Sequence, residues 1–372
     1  MTAQVKSTEA PSRTQPNAQP APSGGSARRA QVSGPILLVG LAISLCVAAL
    51  VGSGIGAFQV SSADVLTSIL RHVGFGSIEA IDPTADAVLW QIRFPRVALS
   101  IIVGTCLGCA GAAMQGTFAN PLAEPGIVGV SAGASLGAIT AIVAGATVLG
   151  AWSVPAAAFL GGLATVIAVY ASARANGRTE VVTLVLTGVA VNALVGALIG
   201  LATFMSNDAE LRSITFWSLG SMAQASWTKV AVVAPLAVVG LVASYLLAPR
   251  LDLLALGERQ AGHVGVDVER LRAVMLAVVA VLTAASVAVS GMVLFVGLVI
   301  PHLMRMVGGP RHRVLIPASA LAGALVVVIA DLIARTAVSP QELPLGVLTS
   351  LVGGPFFFWQ LRRTRAAQGG WA

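Results

Sequence analysis

Residues 273–300 read AVMLAVVAVLTAASVAVSGMVLFVGLVI, a stretch that contains no charged side chain. About 20 apolar residues in a helix cross the hydrocarbon core of a bilayer, so this stretch is longer than one span requires. It does not alternate between polar and apolar residues, as the strands of a transmembrane barrel do. The stretch therefore predicts membrane helices, and we divide it into one span at 273–292 and a shorter one at 293–307.

The composition of the whole chain of 372 residues agrees with a membrane protein. Hydrophobic residues make up 56% of it and charged residues only 10%, whereas a typical soluble domain is about 25% charged. So few charges could not cover the surface of a soluble fold, which excludes a cytosolic enzyme and a disordered protein. The net charge of +7 comes from short loops between apolar runs, which indicates membrane topology rather than nucleic-acid binding.

Apolar stretches of the same character recur from residue 34 to the end of the chain. Most approach the length of one membrane crossing. The sequence therefore predicts an all-α membrane protein with a bundle of ten transmembrane helices in a domain at 34–363. The ten predicted spans are 34–58, 94–116, 125–146, 153–173, 182–203, 228–248, 273–292, 293–307, 314–335 and 345–361.

The two ends of the chain differ from this pattern. Residues 1–33 are rich in Pro, Ser, Gln, Ala and Thr and have no apolar periodicity, so we expect a disordered cytoplasmic tail. A secretory signal is the alternative, but the first apolar run is long enough to span a bilayer, which favours a retained anchor. Residues 364–372 are predicted to form a C-terminal cytoplasmic tail.

The distribution of Lys and Arg predicts the orientation of the bundle. With the N-terminus inside, 16 of the 22 basic residues fall on the cytoplasmic side and 6 fall outside. Cationic loops are retained in the cytoplasm. Both termini are therefore predicted to be cytoplasmic.

The sequence contains no recognisable catalytic, metal-binding or cofactor-binding motif. Its four histidines lack the spacing of a metal site, and the C-x-x-C formed by Cys106 and Cys109 lies inside an apolar run, where small apolar packing is the simpler interpretation. No Gly-x-x-x-x-Gly-Lys-Ser/Thr loop occurs, so the chain cannot bind ATP in the P-loop manner. We predict a protein that is not an enzyme and that holds no cofactor or metal.

One ionisable pair stands out within the spans. Asp331 and Arg335 are four residues apart in the ninth span, a spacing that places them on the same helix face. Ionisable residues inside a membrane usually have a function. The alternative is a snorkelling pair that only fixes the depth of the span.

Three segments carry patterns more specific than hydropathy. Each combines charged residues, Pro or Gly with an adjoining apolar span. They are R-F-P-R at 93–96 with N-P-L-A-E-P-G at 120–126, L-A-L-G-E-R-Q-A at 254–261 with V-G-V at 264–266, and G-L-V-I-P-H-L-M-R at 297–305 with D-L-I-A-R at 331–335 and E-L-P-L-G at 342–346.

With these motifs in this order, the sequence resembles the permease subunits of bacterial ABC importers for iron–siderophore complexes, haem and cobalamin. The resemblance covers the chain from the first span to Arg363. It implies the type II ABC importer permease fold, with ten helices per subunit, in the cytoplasmic membrane of a bacterium. It also implies a homodimer that works with two ATP-binding cassette ATPase subunits and an extracytoplasmic substrate-binding protein, with ATP bound by the ATPases alone.

The resemblance assigns roles to residues at both ends of the spans. Arg93 and Arg96 would face outward and meet glutamates of the binding protein, together with Arg335. Asn120 and Leu122 would line a cytoplasmic gate. Considered without the resemblance, the first two arginines could instead be interfacial anchors that snorkel, and Asn120 could be a helix cap.

The loop at 250–272 is the longest polar cytoplasmic connection after the N-terminal tail. Its amphipathic helical period suits a contact with a soluble partner, although a plain solvated loop is the alternative. The resemblance implies that short helices in this loop press into the ATPase. The residues assigned to this coupling loop are Leu256, Gly257, Glu258, Ala261 and Gly265.

We therefore expect a permease that translocates an iron chelate, with haem ahead of a ferric siderophore on similarity around 120–138 and 216–227. Cobalamin is the alternative within the same class. An ion-coupled secondary transporter usually keeps ionisable groups near mid-membrane, and these spans are almost free of them. An intramembrane enzyme would need a paired nucleophile and base, which the sequence lacks.

Overall fold

A computed structural model describes residues 32–56, 58–74, 81–175 and 178–367 of the chain. These residues are almost entirely helical. The helices are α1 (Gly34–Gly54), α2 (Ser62–Val73), α3 (Pro83–Val88), α4 (Phe94–Thr117), α5 (Val130–Val143), α6 (Ser153–Ser172), α7 (Val181–Met205), α8 (Asp208–Leu219), α9 (Trp227–Leu254), α10 (Glu258–His263), α11 (Val268–Ser290), α12 (Val296–Gly308), α13 (His312–Thr336) and α14 (Leu345–Ala367).

Shorter elements join some of these helices. A π-helical turn at Leu89–Arg93 connects α3 to α4, and 3₁₀ turns at Pro125–Val128 and Gly150–Trp152 precede α5 and α6. Two short antiparallel strands, β1 (Arg174–Ala175) and β2 (Arg178–Thr179), pair between α6 and α7. We call these two paired strands, residues 174–175 and 178–179, the hairpin.

Each of the ten predicted spans coincides with one helix of the described chain. Seven helices are long and apolar enough to cross a membrane, the second of them running without interruption from Pro83 to Thr117. Three shorter apolar helices, α5, α12 and α14, bring the number to ten. The prediction of an all-α membrane bundle is confirmed, and the structure adds the short helices α2, α3 and α8.

Several helices extend beyond the predicted spans by up to six residues. Helix α9 continues to Leu254, α11 already begins at Val268, and α14 reaches Ala367, beyond the point where a tail was predicted. Hydropathy marks the part of a helix within the hydrocarbon core, whereas backbone hydrogen bonds continue the helix into water. The tail predicted for residues 1–33 lies outside the described residues except for its last two.

The apolar run at 273–300 contains a break that divides it into α11 and α12. Gly291 and Phe295 have positive φ angles of 67° and 66°, and a side chain at Gly291 would collide with the Trp217 carbonyl oxygen. Backbone that leaves the helix at membrane depth must find partners within the protein. Here the Ser290 carbonyl accepts a hydrogen bond from the Ser221 N–H at 2.8 Å.

Helix α4 is the centre of the bundle and packs against α9, α11, α12 and α13. Its contact with α13 depends on small residues. A methyl group at Gly108 would collide with the carbonyl oxygen of Ser319, and one at Gly104 with that of Gly323. Small residues let helix backbones approach closely in membranes, where packing replaces the hydrophobic effect as the main attraction between helices.

Candidate functional site

The predicted site residues fall at two ends of the helices. At one end α4 and α14 begin and α13 ends, and we call it the Arg96 end. At the other end α9 finishes and α11 begins, and we call it the Glu258 end. The charge distribution predicts that the Arg96 end is outside the cell and the Glu258 end is in the cytoplasm.

Arg96 lies at the centre of a buried ion cluster. Its guanidinium contacts both carboxylate oxygens of Asp331 at 3.0–3.1 Å and both oxygens of Glu342 at 2.7 and 2.9 Å. The Asp331 side chain is 4% exposed and that of Glu342 is 38% exposed. One arginine therefore joins α4 to α13 and to the connection before α14 through two forked contacts, the geometry in which guanidinium–carboxylate pairs are strongest.

Arg335 extends this cluster towards α1. Its Nε lies 3.9 Å from an Asp331 oxygen, which confirms the pair predicted from the four-residue spacing. The same guanidinium donates a hydrogen bond to the Gly52 carbonyl in the last turn of α1. Sequence reasoning found this pair but missed Arg96 as the closer partner of Asp331, because no local spacing connects positions 235 residues apart.

Arg93 caps the C-terminal end of α1. Its guanidinium donates hydrogen bonds to the carbonyl oxygens of Ser53, at 2.7 Å, and of Gly54 and Phe58. The last carbonyls of a helix have no partner within it and attract positive charge. Arg93 therefore holds the start of α4 against the end of α1.

The three arginines expected to face a binding protein are thus engaged inside this chain. Arg93 and Arg96 are buried, and the Arg335 side chain is only 8% exposed. They do share one end of the bundle, as predicted, but none presents a free guanidinium to solvent. Their contact with a partner stays a prediction, and it would require them to exchange internal partners for external ones.

The predicted gate residues follow the end of α4. The N–H groups of Ala119 and Asn120 bond back to the carbonyls of Gly116 and Gln115, and Ala119 has a φ of 46°. These two bonds form a Schellman motif, with Ala at the position that Gly usually takes. Asn120 therefore does help to cap α4, through its backbone.

One side-chain hydrogen bond closes this turn locally, and another connects it to α12. The Asn120 Oδ1 accepts a hydrogen bond from the exposed Leu122 N–H at 2.9 Å, and Gln115 donates one to the Leu298 carbonyl in α12 at 3.1 Å. Burial raises the pKa of Glu124 in this connection, and a hydrogen bond from the Phe295 backbone opposes that shift. The connection is thereby joined to the break between α11 and α12.

A surface cavity of about 340 Å³, wide open on one side, lies beyond this connection, between α5, α7 and the break. None of its lining residues is charged. Asn192 on α7 donates a hydrogen bond to the Gly126 carbonyl at 3.1 Å, which joins the cavity wall to the segment after the gate. The cavity and Asn192 escaped sequence reasoning, because an isolated Asn in an apolar helix carries no recognisable pattern. The lining includes Gly126, Ser131, Ser135, Asn192, Ser218 and Met292.

The coupling loop at the Glu258 end contains a short helix between two glycines. Gly257, which precedes α10, has a φ of 117°, and Gly265, which follows it, has a φ of 88°. Ala261 packs inward with 1% exposure, whereas Leu256 is 68% exposed. The predicted short helix is therefore present, with one side packed on the bundle and an apolar side chain facing outward.

Glu258, at the first position of α10, pairs with a buried arginine. Its carboxylate contacts Arg272 of α11 at 2.5 Å, and Glu269 contacts the same guanidinium at 3.0 Å. The Arg272 side chain is 1% exposed. Sequence reasoning treated Arg272 only as a charge that sets topology.

The described residues contain no group of three or more His, Cys, Asp or Glu side chains that could hold a metal ion. The two buried cysteines, Cys106 and Cys109, are free thiols in the densely packed helix α4.

The profile of the FecCD transport family matches residues 41–363. The chain belongs to the FecCD transport family. Members are transport permeases, so this chain is a multi-pass membrane permease subunit rather than an enzyme in its own right.

Two relatives and one solved structure illustrate the range of this family. The hemin transport system permease protein HmuU of Yersinia pestis is 40% identical over 77% of this chain and 87% of that protein. The cobalamin import system permease protein BtuC of Halobacterium salinarum is 42% identical over 76% and 75%. An inward-facing structure of a metal-chelate type ABC transporter is 32% identical, with a TM-score of 0.78 over 88% of this chain and 99% of that one.

Proposed function

We propose that this chain is the membrane-spanning subunit of an ABC importer that carries haem into the cell. The observation that carries the proposal is the uncharged cavity of about 340 Å³ beside the gate connection, in a member of the FecCD family. Haem is placed first because of the similarity around residues 120–138 and 216–227. Alignment length does not separate the substrates, since a vitamin B12 permease of Vibrio cholerae aligns over 93% of its own length and the hemin permease over 87%. Ferric siderophores and cobalamin are the alternatives.

The partners we propose are a second copy of the chain, two ATPase subunits and an extracytoplasmic binding protein. We place the contact between the two copies at α7, because this helix lines the cavity and a path between subunits would include that cavity. A second copy across α7 would enlarge the cavity into a path between subunits. Size measurement of the purified complex would distinguish two identical permeases from a pair of different ones.

The mechanism we propose is alternating access. ATP binding closes the ATPases, and α10 transmits this motion to the helices that line the cavity. The cavity opens towards the binding protein and receives the substrate. Hydrolysis then opens the connection around Asn120 and Leu122 towards the cytoplasm. The hydroxyl and amide groups of Ser131, Ser135 and Asn192 offer hydrogen bonds without a fixed charge, so a large ligand is not held tightly.

The decisive experiment is uptake into proteoliposomes that contain this chain with its ATPase and binding protein. Haem uptake that requires ATP hydrolysis supports the proposal. Uptake driven by a proton or sodium gradient without ATP would instead make the chain a secondary transporter. Competition by cobalamin and by a ferric siderophore, with binding of each to the isolated binding protein, identifies the substrate.

A further inference from the structure

Arg272 is a buried arginine to which the sequence assigns no role in transport. It lies one turn inside α11, and its side chain is 1% exposed. Moving a guanidinium out of water is costly unless charged and polar partners replace the lost hydration. The partners of Arg272 therefore indicate which parts of the chain it holds together.

Those partners come from three elements. Nη1 donates to the Thr179 carbonyl at 2.9 Å and to Glu269 at 3.0 Å, and Nη2 donates to Glu258 at 2.5 Å. The second oxygen of Glu269 accepts a hydrogen bond from the Thr179 N–H at 3.0 Å. The guanidinium thus connects α10, α11 and the last residue of the hairpin.

The hairpin leads directly into α7. Thr179 is two residues from Val181, where α7 begins, and α7 carries Asn192, which lines the cavity and bonds to the Gly126 carbonyl. A continuous series of contacts therefore runs from Glu258 through Arg272 and Thr179 to the cavity wall. Ala261 of α10 belongs to the same buried apolar cluster as Leu251, Leu254 and Leu271, so α10 also has an apolar contact with the bundle.

The geometry points to Arg272 as the positioning residue that couples α10 to the hairpin and thereby to α7. This inference rests on the proposed function, in which α10 receives the motion of an ATPase. The apolar contact of Ala261 holds α10 on the bundle, whereas the ion cluster joins it to the element that begins the cavity-lining helix. Without Arg272, α10 moves with the ATPase while α7 does not follow.

The test measures haem uptake and ATP hydrolysis in the same proteoliposomes of the complete importer. We expect Arg272→Gln to lower uptake per ATP hydrolysed by about tenfold, within the range typical of energetic coupling between sites, while the ATPase remains bound and its basal hydrolysis persists. Arg272→Lys keeps the charge but lacks the planar fork, so its loss should be intermediate. Arg270→Gln is the matched control, since it removes the same charge from an exposed position on the same helix.

A double variant separates the proposed contact from general damage. If Arg272 acts through Glu258, Arg272→Gln combined with Glu258→Gln should be no worse than Arg272→Gln alone. The inference would be overturned if the double variant lost as much uptake per ATP as the two single variants together. It would also be overturned by unchanged uptake per ATP in Arg272→Gln. If Arg272→Gln does not assemble, Glu258→Gln decides, because its side chain is 60% exposed and its loss leaves the fold intact: wild-type coupling in that variant rejects the role.

These outcomes differ from failure of the proposed function. An importer with unmodified sequence that shows no ATP-dependent uptake would reject the function itself, whatever the variants do. ATP-dependent uptake of normal yield in both the unmodified chain and Arg272→Gln rejects only the positioning role.

Discussion

Arg96 and Arg272 are both buried arginines with two carboxylate partners, but they join different kinds of element. Arg96 links α4 to α13, two long helices packed through close glycine contacts. Arg272 links α11 to the six-residue helix α10 and to the hairpin. The same chemistry thus fixes a rigid core at one end and connects small, separate elements at the other.

The exposure of the partners follows this difference. The Asp331 side chain is 4% exposed, whereas the less exposed partner of Arg272, Glu269, is 31% exposed. The more exposed partners also differ, with Glu342 at 38% and Glu258 at 60%. An ion pair sealed from water on both sides resists exchange, and breaking it leaves an uncompensated charge. A pair with one solvated member can reorganise at lower cost. We therefore expect the Arg96 cluster to govern stability and the Arg272 cluster to govern coupling.

The largest expected effect is loss of the Arg96 cluster. Arg96→Ala leaves the buried Asp331 with Arg335, at 3.9 Å, as its remaining charged partner, and loss of one partner from a buried pair costs about 3–5 kcal/mol. Thermal unfolding in detergent should show a marked loss of stability, with a lower yield of folded protein. Arg212→Ala, on an exposed face of α8, is the control. Equal stability of the two variants would contradict the contrast between the two ends.

Gly257→Pro should abolish transport and leave the bundle folded. Proline fixes φ near −65°, whereas Gly257 has a φ of 117°, so α10 cannot keep its position. Gly262→Ala is the matched control, because a side chain there meets no other atom. Uptake and thermal unfolding are compared in both variants. Normal ATP-driven uptake in Gly257→Pro would remove α10 from the mechanism.

A smaller effect is expected from Glu342→Gln. This change removes one of the two carboxylates on Arg96 while the buried Asp331 remains. If Arg96 contacts the binding protein, the guanidinium edge that Glu342 no longer pairs with becomes available to it. The binding protein should then associate about two- to fivefold faster at low salt. Surface binding kinetics at several salt concentrations measure this. Rates equal to those of the unmodified chain would leave Arg96 as an internal anchor only.

The smallest expected effect concerns the gate connection. Asn120→Ala removes the hydrogen bond from the Leu122 N–H. Because this bond is exposed to solvent, the decrease in the free energy of unfolding should lie at the low end of about 0.5–1.5 kcal/mol. We expect about a twofold change in uptake with only a small decrease in unfolding temperature, since the Schellman bonds use the backbone. Asn120→Asp keeps the accepting oxygen and serves as the control. A loss of uptake as large as that expected for Gly257→Pro would show that the Asn120 side chain has a direct role in the gate.

Much of the fold could be predicted from local patterns in the sequence. The ten spans follow from runs of apolar residues, and the pair of Asp331 and Arg335 follows from helical spacing. The short helix α10 was expected from the family resemblance to which the motif at 254–261 contributes. The ends of the helices were predicted less accurately, because α9, α11 and α14 extend beyond the apolar runs from which they were predicted.

The site depended on contacts between distant parts of the chain. Arg96 meets Glu342 across 246 positions, and Arg272 meets Thr179 across 93. Residues this far apart become neighbours only when helices pack, and the glycines of α4 that allow close packing carry no information about which helix they meet. The three arginines predicted to dock a binding protein are buried for the same reason, because helices distant in the sequence pack around them.

The sequence by itself determined that this chain crosses a membrane with about ten helices, since transfer of apolar residues into lipid is a local property summed along each run. Its motifs also determined its family. Only the tertiary structure decided which charges are buried, which carboxylate each arginine meets and where the uncharged cavity lies. Those features depend on how helices approach one another, and the energy of a buried charge is set by all the groups around it.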